Sequence, residues 1–274
     1  MNKNIYGAKI GEFKIIFPLC VTNPFSQPSY RKIITMKSLF VLCFVIAGLS
    51  SYAQNDAIIN EPNAQKRSLS ASFSGITVTD GIDLYLTQGK EESIAISASD
   101  PKYLERYKTE VENGTLKIYY DNKGINWTGN EKRKLKAYVS FKTLQKLSGS
   151  GGARVIMKSI ITGDKMEYTF TSGAKFTGEV NIDQLDVAQN SGSLVEINGK
   201  AGTLKVEATS GAMFKGYELA TDYCDAKATS GGSVRVNVNK ELSVKANSGG
   251  GIHYKGNGVV KDMNVNSGGI VKKG

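Results

Sequence analysis

Through the second half of the chain apolar and polar residues alternate with a period of two, and the alternation restarts each time at a Ser-Gly dipeptide. The dipeptide stands at Ser150-Gly151, Ser172-Gly173, Ser191-Gly192, Ser210-Gly211, Ser230-Gly231, Ser248-Gly249 and Ser267-Gly268. Successive serines are 22, 19, 19, 20, 18 and 19 residues apart, a period at which each repeat is one supersecondary unit stacked on the next. Counting back six, four and two residues from the serine gives Met166, Tyr168, Phe170; Leu185, Val187, Gln189; Leu204, Val206, Ala208; Cys224, Ala226, Ala228; and Leu242, Val244, Ala246, all apolar except Gln189. The residues between them are nearly all polar, as a half-buried strand requires. Beyond each turn a second short strand follows, with Phe176, Val195, Phe214, Val234 and Ile252 in the inward column. Thr177, Glu196, Lys215, Arg235 and His253 fill the outward one.

A unit of about 19 residues holding two strands cannot bury its apolar side alone, so it must lie on its neighbours. The pattern predicts an all-β fold: a single-stranded parallel β-helix, or solenoid, with Ser-Gly turns and about 19 residues per coil. Glycine suits such a turn because it takes backbone conformations that a Cβ makes costly. Thr171, Asn190, Thr209, Thr229, Asn247 and Asn266, just before the turns, are expected to form a structural ladder of like side chains.

The amino-terminal half carries weaker versions of the same alternation. Phe73 to Val78, Gly81 to Leu86 and Ser93 to Ala98 read as strands, and Asn113-Gly114 between Val111 and Leu116 reads as a hairpin turn. Asp100 to Tyr107 reads as a short helical turn, and Lys134 to Phe141 as a strand leading into the first coil. No linker separates these elements from the repeats, so residues 68–274 are expected to be one domain. Residues 54–67 are polar, contain Pro62 and are read as a flexible lead-in. Before them, Met36-Lys37, the apolar run Leu39 to Leu49 and Ser51-Tyr52-Ala53 have the form of a secretory signal cleaved after Ala53. That run is too short for a membrane span, and residues 1–35 upstream of it read as a mis-assigned start.

The 274-residue chain has a formal net charge of +10, but residues 54–274 hold only 29 basic against 24 acidic side chains. This mild excess lacks the clustered stripe of a nucleic-acid binder. Of three cysteines only Cys224 lies beyond the signal, in the inward column of Leu185, Leu204 and Leu242, and reads as a small buried hydrophobe. Leu42 before Cys43 stands where a lipoprotein signal carries a small residue, so no lipid anchor is expected.

Phe73-Ser74-Gly75-Ile76 followed by Gly81-Ile82-Asp83, the closing Thr87-Gln88-Gly89 and the later Ser148-Gly149-Ser150-Gly151-Gly152 with its repeats resemble the head GIN domain family of auto-transporter adhesins. The likeness covers about residues 68–270; the family motif is Gly-Ile-Asn, and this chain has Asp83 in the third place. The resemblance implies an exported bacterial β-helix, right-handed and similar in shape to pectin-lyase-like proteins, with an adhesive role and no agreed catalytic residues. Fold alone does not settle function.

The regular outward columns favour a non-enzymatic module that binds extracellular glycans or surface proteins from the periplasm, the cell surface or the medium. The competing reading is a polysaccharide-acting hydrolase or lyase using paired carboxylates, for which Glu167 and Asp186 on neighbouring coils are the candidates. Lys205 next in that column fits a solvated ladder of alternating charge instead. His253 is the only histidine, so a histidine triad or metal cluster has no second member, and no cofactor is expected. The Gly-rich turns lack the Lys-Ser or Lys-Thr and following helix of a nucleotide loop. Trp127, between Gly124 and Gly129, is the candidate stacking platform for a sugar ring. The last coil, Asn266 to Gly274, has no capping helix, so homo-oligomer formation by edge stacking into a scaffold is a third reading.

Overall fold

A computed structural model describes residues 63–124 and 132–274. The Ser-Gly turns set its geometry. Ser172, Ser191, Ser210, Ser230, Ser248 and Ser267 have φ between 46° and 53°, and the glycines after them have φ between 70° and 74°. Two successive left-handed residues bridged by a bond such as Ala174 N to Thr171 O (3.1 Å) make the pattern of a type I′ turn. Each turn is also tied to the next coil, because the glycine N–H donates to the following serine carbonyl: Gly173 to Ser191 at 3.0 Å, Gly192 to Ser210 at 3.1 Å. The serines therefore hold a conformation that costs an L-residue about 1–2 kcal/mol. Ser210→Asn is expected to raise stability by about 0.5 kcal/mol, since Asn-Gly is the preferred pair for this turn. Ser210→Val is expected to lower it, and urea denaturation measures both.

The first repeat is out of step with the sequence reading. Gly149 pairs with Phe170, so Ser150 falls in the Thr171 column and Gly151-Gly152, with φ of 57° and 75°, form the turn. The true interval to Ser172 is 21 residues. A further turn is Asp80-Gly81, with φ of 60° and 69°, whose Gly81 N–H donates to Gly151 O at 2.9 Å. The Thr/Asn column stacks coil on coil through its backbone, as Asn190 N to Phe170 O (3.0 Å) and Thr209 N to Gln189 O (3.0 Å) show. Two of its side chains bond locally: Asn190 Oδ1 accepts from the Ser191 N–H at 2.6 Å, and Asn266 Nδ2 donates to Asn264 Oδ1 at 3.1 Å.

Apart from three antiparallel strands at the amino-terminal end, the strands form two parallel stacks. In chain order they are β1 (Gln65–Arg67), β2 (Gly75–Val78), β3 (Asp83–Gln88), β4 (Ser93–Ser97), β5 (Tyr107–Glu112), β6 (Thr115–Tyr120), β7 (Lys136–Phe141), β8 (Lys146–Gly149) and β9 (Arg154–Met157). There follow β10 (Ile161–Phe170), β11 (Lys175–Gln189), β12 (Leu194–Ala208), β13 (Met213–Ala228), β14 (Ser233–Ala246), β15 (Gly251–Lys255), β16 (Val259–Val265) and β17 (Ile270–Lys273). From β11 to β14 each strand leaves one turn, bends at the far corner and enters the next, so a single long strand serves both stacks.

Leu185, Leu204, Cys224 and Leu242 are consecutive register partners and are all buried. The inward glycines make room for rings in this core. A Cβ on Gly149 would lie 2.7 Å from the Phe170 ring, and one on Gly216 would lie 2.4 Å from that of Phe214. Gln189, the polar member of an apolar column, is 2% exposed and donates from Nε2 to Met213 O at 3.0 Å.

Chain order and spatial order part company at the amino-terminal end. β2 pairs with both β6 and β8, and β3 with both β7 and β9, so the first coil made lies between two made later. The β5–β6 hairpin turns at Asn113 and Gly114, with φ of 50° and 70°, and a 3-10 turn covers Pro101–Tyr103. β4 lies antiparallel on β7, and β1, inside the stretch read as lead-in, lies antiparallel on β4. Ile94, Ile96, Leu104 and Tyr107 are buried in this amino-terminal part. At the other end the core columns run on into β16 and β17 and come out bare. Met263 and Val265 follow Val244 and Ala246, yet are 51% and 42% exposed.

Candidate functional site: a charged cleft at the first coils

Where later coils join their two strands with a tight turn, β6 and β7 are followed and preceded by longer described stretches, residues 121–124 and 132–135. Asn122, Arg133 to Lys136 and the neighbouring Asp80-Gly81 and Gly151 turns border a cleft of 830 Å³. Asp83, the first residue of β3, stands in register between Lys136 of β7 and Arg154 of β9. Arg154 grips it with both prongs, Nε to Oδ1 at 2.6 Å and Nη2 to Oδ2 at 2.5 Å. The carboxylate is only 14% exposed and the arginine 57%, so the acid is nearly enclosed while the cation faces the cleft. Hydrogen bonding to Asp83, then its charge, pushes the Arg154 guanidinium above its usual range.

Asp80 is similarly engaged. It accepts from the Thr79 hydroxyl, from the Tyr120 N–H at 3.3 Å and from Asn122 Nδ2 at 3.2 Å. The other end of Asn122 accepts from Arg133 Nη1 at 2.9 Å. Arg133, 6% exposed, lies 3.9 Å from the centroid of the Tyr120 ring, a cation–π contact, and its carbonyl accepts from the Ser99 N–H at 2.8 Å. Lys134 beside it is exposed. Among the described residues four cations line the cleft, Arg133, Lys134, Lys136 and Arg154, with two acids, Asp80 and Asp83.

Glu167 and Asp186 are brought together, as their spacing implies, on neighbouring strands of the outward face. Both are close to half exposed, and Lys165 bridges them at 3.6 Å and 3.7 Å, with Lys146 3.7 Å from Glu167. Neither residue lines the charged cleft. Trp127 lies outside the described residues. His253 sits between Arg235 and Lys272 in the other outward column. Among the described residues no three His, Cys, Asp or Glu side chains converge as a metal site.

A second, smaller hollow of 380 Å³ was not foreseen. Between Gly216 and Ala220 the register slips, and Tyr217 and Glu218 stand out beside Glu196, Lys215 and Arg235. Its only trace in the sequence is the 20-residue interval from Ser210 to Ser230.

Cys224 is buried, and desolvation followed by the charge of Asp225 pushes its thiol pKa well up. The native thiol is expected to resist alkylation that modifies it readily in urea. The raised pKa stabilises the fold below the unfolded thiol's value of 9.0. Above that pH stability is expected to fall by up to about 1.4 kcal/mol per unit, as the unfolded chain alone ionises. Urea titrations at pH 8 and 10, with Cys224→Ala as the control, measure this loss.

Residues 72–258 match the family described as "Putative auto-transporter adhesin, head GIN domain". Among solved structures, the chain is similar to a protein from Bacteroides fragilis named a putative adhesin. The identity is 18% and the TM-score 0.68, over 78% of this chain and 98% of that one. It is likewise similar to a putative adhesin from Parabacteroides merdae (18%, TM-score 0.60, 78% and 97%). A protein from Parabacteroides distasonis named a putative lipid binding protein is a third (19%, TM-score 0.57, 78% and 98%). At these identities the likeness shows a shared fold. No curated protein matches the sequence significantly.

Proposed function

The chain belongs to the head GIN domain family of auto-transporter adhesins, and from that premise we propose that it is an exported, non-enzymatic adhesion module presenting a rigid polar surface to glycans or cell-surface proteins. The observation that carries this reading is the register itself. From β10 to β14 the parallel ladders hold outward side chains such as Glu167, Asp186, Lys205 and Asp225 at successive levels about 4.8 Å apart. A surface so fixed loses little entropy on binding an extended ligand. In this reading Met36 to Ala53 direct export and are removed, residues 1–35 are not translated, and residues 68–274 form the binding domain. A glycan array run beside a reducing-sugar release assay tests it. Binding without release is expected, and Trp127→Ala weakens binding if that ring is the platform. Release abolished by Glu167→Ala and Asp186→Ala would restore the hydrolase or lyase reading.

A second reading, self-assembly, is favoured by the exposed Val259, Met263, Val265 and Ile270 on the last coil. With β4 and the β5–β6 hairpin occupying the other end, two copies meeting last coil to last coil would close as a two-fold dimer rather than a filament. Light scattering is expected to report a dimer that Val265→Lys dissociates; a strict monomer at high concentration removes this reading.

A further inference from the structure

Building on the adhesion reading, we infer that the charged cleft binds the anionic groups, carboxylate or sulfate, of an acidic polysaccharide laid along the coils. Both acids in the cleft are already spent. Asp83 is held bidentately by Arg154, and Asp80 accepts from Asn122, Tyr120 and Thr79. With both acids engaged, the charges that an incoming anion meets first are exposed Lys134 and the outer side of Arg154. Arg133 is held in place before any ligand arrives, by the Tyr120 ring and by Asn122, and its burial removes the water that would screen its charge. The 830 Å³ volume lies in the range that takes a small molecule or a short stretch of sugar chain.

The register argues for a polymer over a lone ion. Lys136, Asp83, Arg154 and Lys175 are successive partners across β7, β3, β9 and β11. A chain running along the rod from the cleft meets cations at levels about 4.8 Å apart, with the neutralised Asp83 the one acid among them.

The purified exported protein is titrated with heparin oligosaccharides, polygalacturonate, neutral dextran and vesicles containing phosphatidylglycerol. Binding of one or both acidic saccharides, weakening with salt, and none of dextran is expected. Lys134→Glu and Lys175→Glu, both exposed, should each weaken that binding by about tenfold, as reversed charges at a rim do, while Lys261→Glu on the last coil leaves it unchanged. Undiminished binding by Lys134→Glu at the cleft and Lys175→Glu beside it, or capture of vesicles with no affinity for either saccharide, overturns the inference. If acidic saccharides fail while neutral glycans still bind, the cleft assignment falls and the adhesion reading stands. If no glycan binds, the glycan arm of that reading falls with it.

Discussion

Leu204→Ala is expected to cost about 2–5 kcal/mol, as the removal of a fully buried leucine from an unyielding core does. The residue is 1% exposed and sits between Leu185 and Cys224 in adjacent coils, while Val206 and Ala208 of its own strand point into the same interior. Hydrogen bonds to strands on both sides fix β12 in place, so the coils cannot collapse into the vacated space. A solenoid coil has no contacts beyond its neighbours, so the loss falls on the two interfaces that Leu204 shares. The measurable result is a lower urea midpoint with a broadened transition, as the coils on either side of β12 begin to melt separately. Leu204→Met, which conserves volume, should cost less than about 1.5 kcal/mol. Similar losses from the two variants would mean that the side chain is not packed as described.

Gly199→Ala is expected to destabilise more than any other glycine-to-alanine change at an Asn-Gly or Ser-Gly corner of the middle coils. Its φ is 104°, and an added Cβ would lie 2.1 Å from the carbonyl oxygen of Val180 in the neighbouring strand. That atom belongs to a ladder and cannot swing aside. The contrast is Gly211, with φ of 72° and nothing within 4 Å of its would-be Cβ. Gly211→Ala therefore bears only the conformational cost of a left-handed alanine, about 1–2 kcal/mol. Gly199→Ala bears a comparable cost and the steric one besides, for a total of roughly 3–5 kcal/mol. Thermal unfolding of the pair separates the two contributions, and equal midpoints would show that β11 and β12 are not as close at this corner as drawn.

The stacked architecture was legible because its cause is local. Strand period, turn residue and repeat length all lie within 19 residues, and Leu185, Leu204, Cys224 and Leu242 could be aligned by counting. Ser150 was misplaced by one because a glycine, Gly151, stands where the other coils have serine, and only the pairing of Gly149 with Phe170 reveals the offset. The Asp80-Gly81 turn went unrecognised as a coil since Asp replaces Ser, although Asp-Gly is as good a pair for two left-handed residues. β1 has no alternation to detect, being Gln65-Lys66-Arg67 on an outer edge. The charged cleft was illegible for a different reason. Asp83, Arg133 and Arg154 come from three separate segments, and what joins them is the register of β3 with β7 and β9, a tertiary fact with no repeat to announce it.

The placement of β2 and β3 between strands that follow them bears on how the molecule is made. When a ribosome has finished Gln88, neither flank of this strand pair has anything to bond with; one awaits residues up to Phe141 and the other residues up to Met157. Loop closures of that span are slow. On the export route proposed above, the polypeptide passes a narrow translocation pore unfolded, and an opening segment unable to settle until its successors arrive suits such a journey. Once through, the arrival of β8 and β9 can seal that first coil and give the remaining turns a template on which to wind.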